Sequence, residues 1–337
     1  MREKLEKLNN LYSNQECCLY AIQDKKNTST ERFVFTSPWS QNVCNDSTLF
    51  GTKYTNALRT TCTELIKALR GSDLLFGTEH STTVFNILRG GLNYELRGAL
   101  ADALGWWRHG SIFISAQRQS DPKDPSSWSI TESSYRKTEL PPKADIICAD
   151  VVATGTRLRH AFSVIKDAAI EQSAEINSIT FITIGAPQTE DILEELDRDF
   201  KNTFKNYRGT SLIYLEGRFL CATPKVKLSI KIDWTDLLRC QSILAPEFIE
   251  SQYQNPAYPI ERCTIYDAGS RAYHLPEYID DVTGYWHQVL TLATNGISYQ
   301  ELLAERFPEL ESSRFNTADL KQICNERLAR LKEQTST

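Results

Sequence analysis

From residue 53 onward the chain alternates between two hydrophobic periods. Leu58, Cys62, Leu65 and Leu69 recur at helical spacing and predict a helix over Lys53–Leu69. VFNIL (Val84–Leu88), SIFIS (Ser111–Ser115), DIICA (Asp145–Ala149), ITFITIG (Ile179–Gly185) and SLIYL (Ser211–Leu215) are short apolar runs of the kind that fill buried strands. Between them, Tyr94–Leu104, Leu158–Ala169 and Glu190–Phe200 have helical character. Strands alternating with helices predict an α/β fold, a parallel doubly wound sheet with right-handed crossovers. Two stretches break the rhythm. Residues 117–142 are polar and proline-bearing, with Trp128 and Tyr135, and predict an extended arm. Residues 225–259 carry DWTDLLRCQSILAPEFIE and predict a helical insertion. The expected organisation is an irregular N-terminal extension (1–50), a main domain (51–284) containing arm and insertion, and a helical C-terminal tail (285–337).

Composition narrows this without changing it. The 337 residues are 41% hydrophobic and 24% charged, enough apolar material for a globular core. A net charge of -5 argues against a general binder of nucleic acid or of membrane surfaces. No apolar run approaches the length of a bilayer span, and MREKLEKLNN lacks the apolar centre of a signal peptide. Nine scattered cysteines without CxxC spacing suit free thiols in a reducing compartment, so the expected location is cytoplasmic.

The richest chemistry lies in CADVVATGTRLRHAF, Cys148–Phe162. Asp150 ends an apolar run, and open parallel sheets bind ligands beyond the carboxyl ends of their strands. In Ala153-Thr154-Gly155-Thr156 the small residues leave amides and hydroxyls facing a concavity, and the helix that follows adds its unpaired N–H groups. A phosphate monoester fits such a turn, with Asp150 placed for ribose hydroxyls; a plain strand-to-helix connection uses the same residue types. At Arg89-Gly90-Gly91 the glycines permit close backbone approach and the guanidinium suits phosphate oxygens, although a strand-end turn with a surface arginine also has this form. The five histidines show no metal-ligand spacing, and Cys148, inside a predicted strand, is expected to be buried.

The Cys148–Phe162 stretch resembles the phosphoribosyl-pyrophosphate (PRPP) loop of type I phosphoribosyltransferases, in which two acids and two apolar residues precede Ala-Thr-Gly-Gly/Ser-Thr. Here Ala149 replaces the first acid, as in the branch that also keeps one acid, the uracil phosphoribosyltransferases. ILRGGL (Ile87–Leu92) is similar to that branch's ILRAGL. The arm from Arg118, ending in Tyr135-Arg136-Lys137-Thr138-Glu139-Leu140-Pro141-Pro142, resembles its β-arm with two extra residues. RCTIYDAGSRAY (Arg262–Tyr273) is similar to its Gly-Asp-Ala-Gly-Asp-Arg segment, matching at Asp267, Ala268, Gly269 and Arg271; Tyr266 and Ser270 depart from it. With DKKNTSTERF (Asp24–Phe33), the resemblance runs from Asp24 to Tyr273.

The resemblance implies transfer of a 5-phosphoribosyl group from PRPP to a nucleobase, uracil first, with release of pyrophosphate. It implies catalytic roles for Asp150, Arg89 and Arg118, with PRPP held by Arg89, Gly90, Gly91, Arg118, Asp150, Ala153, Thr154, Gly155 and Thr156. The base would meet Tyr266, Asp267, Ala268 and Gly269, and a magnesium ion (Mg2+) would be held by substrate oxygens and water rather than by a protein metal site. PRPP and a nucleobase are the expected partners, with a homo-oligomer left open and no membrane. The alternative is a non-enzymatic PRPP- or nucleotide-sensing regulator, or a defence-system effector, on the same fold. Its support is the tail Gly296–Lys332, which fits either a small helix-turn-helix or an amphipathic packing pair.

Overall fold

The structure, a computed structural model, describes residues 7–23, 28–88, 90–115, 117–121, 124–132, 135–152, 156–262 and 274–335. In chain order the strands are β1 (Lys7–Ser13), β2 (Cys18–Gln23), β3 (Glu31–Thr36), β4 (Thr82–Leu88), β5 (Gly110–Ser115), β6 (Gln117–Asp121), β7 (Asp124–Glu132), β8 (Arg136–Lys137), β9 (Lys143–Val152), β10 (Glu175–Gly185), β11 (Gly209–Cys221) and β12 (Leu237–Leu244). The helices are α1 (Pro38–Asn45), α2 (Gly51–Gly71), α3 (Leu96–Leu104), α4 (Thr156–Glu171), α5 (Gln188–Thr203), α6 (Pro246–Ser251), α7 (Ala257–Ile260), α8 (Leu275–Thr294), α9 (Tyr299–Arg306) and α10 (Leu320–Thr335).

One sheet runs in the order β1-β2-β3-β11-β10-β9-β4-β5-β8, with β12 attached to β11. Its middle six strands, β3 to β5 in that order, are all parallel. The antiparallel strands β2 and β8 flank them. Burial explains the residue choice: in β9, KADIICADVV, every residue after Lys143 is buried, as expected where helices cover both faces. Right-handed crossovers then put α4 and α5 on one face and α2 and α3 on the other, and each pair packs together. Phe162 of α4 sits among Phe85, Phe181 and Phe200 in edge-to-face contacts, with ring centroids 5.5, 6.4 and 6.5 Å apart, which ties two strands and two helices into one core.

The α/β doubly wound architecture is as expected, and three local readings change. The first 50 residues are not irregular: ERFVFT is β3, parallel to β11 from Ser211↔Glu31 to Leu215↔Phe35. Six residues with a polar run before them gave too short a period to recognise. The stretch expected as a helical insertion contains a strand, β12, antiparallel to β11, ahead of α6 and α7. The tail is not a peripheral element. Trp286 is 0% exposed, and Leu302, Leu303, Phe307 and Cys324 are buried in the same core as the sheet. The arm does contain a two-stranded antiparallel ribbon, β6 with β7.

Candidate functional site

The direction of chain travel reverses between β4 and β9. β4 leads by way of α3 to β5 on one side, whereas β9 leads by α4 to β10 and by α5 to β11 on the other. In an open parallel sheet that reversal is where a crevice forms at the carboxyl edge. The ladders show it opening. Pairing of β4 with β9 stops at Phe85↔Cys148. Meanwhile β9 stays paired with β10 to Val152↔Gly185, and β4 with β5 to Leu88↔Ser115.

A 3₁₀ turn, Gly90–Tyr94, folds into this split. A Cβ on Gly91 would lie 2.9 Å from the carbonyl oxygen of Ala149, so a glycine is needed for the turn to reach β9. The close approach expected toward a ligand is, at Gly91, an approach to the neighbouring strand. Asn93, in the same turn, is 2% exposed, and its Nδ2 has no hydrogen-bond partner among the described residues.

Asp150 stands on the other side of the split, two residues from the end of β9 and 2% exposed. Its Oδ1 accepts from the Val151 N–H at 2.9 Å, and its Oδ2 lies 3.7 Å from the Arg157 guanidinium at the start of α4. Arg157 is not among the site residues expected from the sequence. The signal that points to it is its place directly after the small-residue stretch 153–156 in the sequence, on the first turn of the helix. Burial and the charge of Asp150 push the Cys148 thiol well above its ordinary value, so this cysteine is an inert core residue.

Of the expected site residues, Gly90, Gly91 and Asp150 are brought to the two lips of the crevice. Thr156 opens α4 beside them, and Arg118 lies on β6 opposite Ile130. Arg89, Ala153, Thr154, Gly155, Tyr266, Asp267, Ala268 and Gly269 lie outside the described residues, as do the side chains of Thr156 and Arg118. Among the described residues no three His, Cys, Asp or Glu side chains gather as a metal site. A Mg2+ ion held by ligand oxygens and water, near one carboxylate such as Asp150, is compatible with that donor set.

The strand order and the ladders define an open α/β protein with a split at its strand-order reversal. No family model matches the sequence, and no curated protein matches it. Among solved structures, the chain is similar to a hypoxanthine-guanine phosphoribosyltransferase from Bacillus anthracis, at 18% identity over 40% of this chain and 72% of that one, with a TM-score of 0.25. It is also similar to a hypoxanthine phosphoribosyltransferase from Trypanosoma cruzi, at 12% identity over 59% of this chain and 92% of that one, again with a TM-score of 0.25. Similarity at this level leaves the fold assignment to the strand order and the ladders.

Proposed function

We propose that the chain is a phosphoribosyltransferase that moves a 5-phosphoribosyl group from PRPP to a nucleobase, with uracil the first candidate acceptor. The observation that carries this reading is the split between β4 and β9, with Gly90 and Gly91 on one lip and Asp150 on the other. The described part of the PRPP-loop resemblance, Cys148–Val152, lies on the β9 side of the split, and Ile87, Leu88 and Gly90–Leu92 of the ILRAGL resemblance lie on the β4 side, which supports a site shared by two motifs far apart in the chain.

In this reading the ribose ring gains positive charge as the bond to pyrophosphate breaks, and catalysis consists of positioning and electrostatics. Asp150, held by the Val151 amide and Arg157, takes a ribose hydroxyl. Residues 153–156 take the 5′-phosphate at the start of α4. Arg89 and Arg118 meet the pyrophosphate, and Tyr266, Asp267, Ala268 and Gly269 form the base pocket. Bound Mg2+ supplies charge neutralisation on the pyrophosphate. The regulator alternative loses its motivating feature, because the tail that suggested an output module is buried against the main body.

The test is pyrophosphate release by purified protein with PRPP, Mg2+ and a panel of bases. Release with uracil is the expected result. Release with a purine alone refutes the acceptor and leaves the transferase standing. Binding of PRPP without release for any base refutes the enzyme and restores the regulator.

A further inference from the structure

A single acid leaves one ribose hydroxyl without a recognised partner, and the strand beside Asp150 holds a candidate. Thr183 of β10 is in register with Asp150 of β9, so their side chains share a face of the sheet about 5 Å apart. One hydroxyl bound between them reaches both. Thr183 is 0% exposed, and its Oγ1 has no hydrogen-bond partner among the described residues. Neither does the Oγ1 of Thr189, also 0% exposed, on the first turn of α5.

The two hydroxyls both lie close to Gly185. A Cβ on Gly185 would stand 2.8 Å from Thr183 Oγ1, 3.1 Å from the Val152 carbonyl oxygen and 3.2 Å from Thr189 Oγ1. Three oxygens therefore crowd around Gly185, and the Val152 carbonyl among them already accepts from the Ala186 N–H at 3.2 Å. Val152 directly precedes in sequence the segment 153–156, to which the proposed function assigns the 5′-phosphate. Two buried hydroxyls without partners are unfavourable unless something polar enters.

We infer that Thr183, in register with Asp150, is a further ligand-binding residue, which with Asp150 holds the ring hydroxyls of a ribose 5-phosphate moiety. This rests on the transferase reading above and goes beyond it, because Thr183 lies outside every motif that suggested that reading. The second hydrogen bond then comes from the neighbouring strand, on the same face of the sheet as Asp150.

The experiment is calorimetric titration of the parent protein and Thr183→Val with ribose 5-phosphate, 2-deoxyribose 5-phosphate and 3-deoxyribose 5-phosphate, with PRPP as reference and a thermal melt of each protein. The parent should prefer ribose 5-phosphate over one of the deoxy sugars by roughly tenfold, about one hydrogen bond. Thr183→Val should lose that preference while melting at the same temperature or higher, since a methyl replaces a buried hydroxyl without a partner. A variant that keeps the full preference overturns the inference. So does a variant that melts lower with its preference intact, which would mean the hydroxyl holds only an ordered water. A parent that binds PRPP yet ignores both ring hydroxyls also overturns it and leaves the transferase reading intact. A parent that binds neither PRPP nor ribose 5-phosphate overturns both.

Discussion

The carboxyl edge of the sheet and the segment joining β12 to the tail both bury polar side chains, but they use them differently. Around residues 239–286 each buried charged side chain has at least one protein partner, although Arg239 Nε and Glu261 Oε2 make no hydrogen bond among the described residues. Glu261 accepts from the Ser47 hydroxyl and, at 3.2 Å, from the Trp286 indole. Arg239 donates to the Glu261 and Cys44 carbonyls at 2.8 Å each. Arg262 bridges Asp236, at 3.2 Å, and Asp281. At the crevice, Thr183, Thr189 and Asn93 bury polar atoms that no group among the described residues meets. The first pattern is how a structure fastens its parts. Under the proposed function, the second leaves atoms that a ligand can meet, since the same atoms satisfied internally would have nothing left to offer.

The sharpest break of that contrast comes from the fastened region. Trp286→Ala should destabilise the protein by about 3–5 kcal/mol, the usual loss for a fully buried Trp. Ending the chain after Asp281 should leave no folded protein, because it removes Tyr285, whose hydroxyl bonds the Ile260 carbonyl, together with Trp286. Circular dichroism and a denaturant melt decide both. A truncated chain that folds cooperatively would mean the tail is an accessory after all.

Glu216 tests whether a fully partnered buried acid behaves as structure. It follows Leu215, the last β11 residue paired with β3, and has φ 64°, a left-handed conformation that a non-glycine adopts at a cost. Its carboxyl accepts from Thr36 Oγ1 at 2.7 Å, from the Ser37 N–H at 3.2 Å and from Ser40 Oγ, tying β11 to the start of α1. Burial pushes its pKa up to about 8, against donors that pull the other way. The folded state then binds a proton more tightly than the unfolded chain. Its contribution to stability is complete below the ordinary carboxylate range and is lost as pH rises through about 8. Between pH 5 and 9, on the order of the acid's own titration range, the parent should lose melting temperature relative to Glu216→Gln. Parallel curves would show that the acid is ionised throughout.

At the crevice the same logic predicts a change in binding without a change in fold. Asp150→Asn should weaken PRPP binding by about 1–3 kcal/mol, one charge-assisted hydrogen bond, with little shift in melting temperature. Gly155→Val should block phosphate approach, and Gly269→Leu should abolish base binding while sparing PRPP. Equal PRPP affinity in Asp150→Asn and the parent would make the split a structural seam.

Much of this was legible in the sequence because strand periods are loudest where both faces are buried. DIICA and ITFITIG announced β9 and β10, and Asp150 stood out as an acid at the end of such a run. Thr183 did not, because one hydroxyl inside ITFITIG is ordinary for a strand; only its register with Asp150 and its unmet hydroxyl mark it. The burial of the tail was half visible, in the helical spacing of Leu302, Leu303 and Phe307, but spacing does not say what a face packs on. β3 was missed because its partner, β11, lies about 180 residues away in the chain, a pairing no local period records.

The smallest expected effect belongs to a third class of polar pair, neither fastening the fold nor left for a ligand to meet. Arg159–Glu195 and Lys166–Asp199 cross a groove of about 240 Å³ between α4 and α5, floored by Phe162 and Phe200. Glu195 and Asp199 are half exposed, at 50% and 49%. Holding two long side chains in one geometry offsets most of what the Coulomb attraction contributes at such exposure, and salt screens the rest. Glu195→Gln and Asp199→Asn should therefore each change stability by less than about 0.5 kcal/mol, and by less still in high salt. A double-mutant cycle across Arg159 and Glu195 should give a coupling of about 0.2–1 kcal/mol. A larger, salt-insensitive coupling would mean the groove is covered in solution and that its charges are fastened like those around Glu261. The Phe162 floor already closes the core beneath it, so the small value is the one the geometry supports.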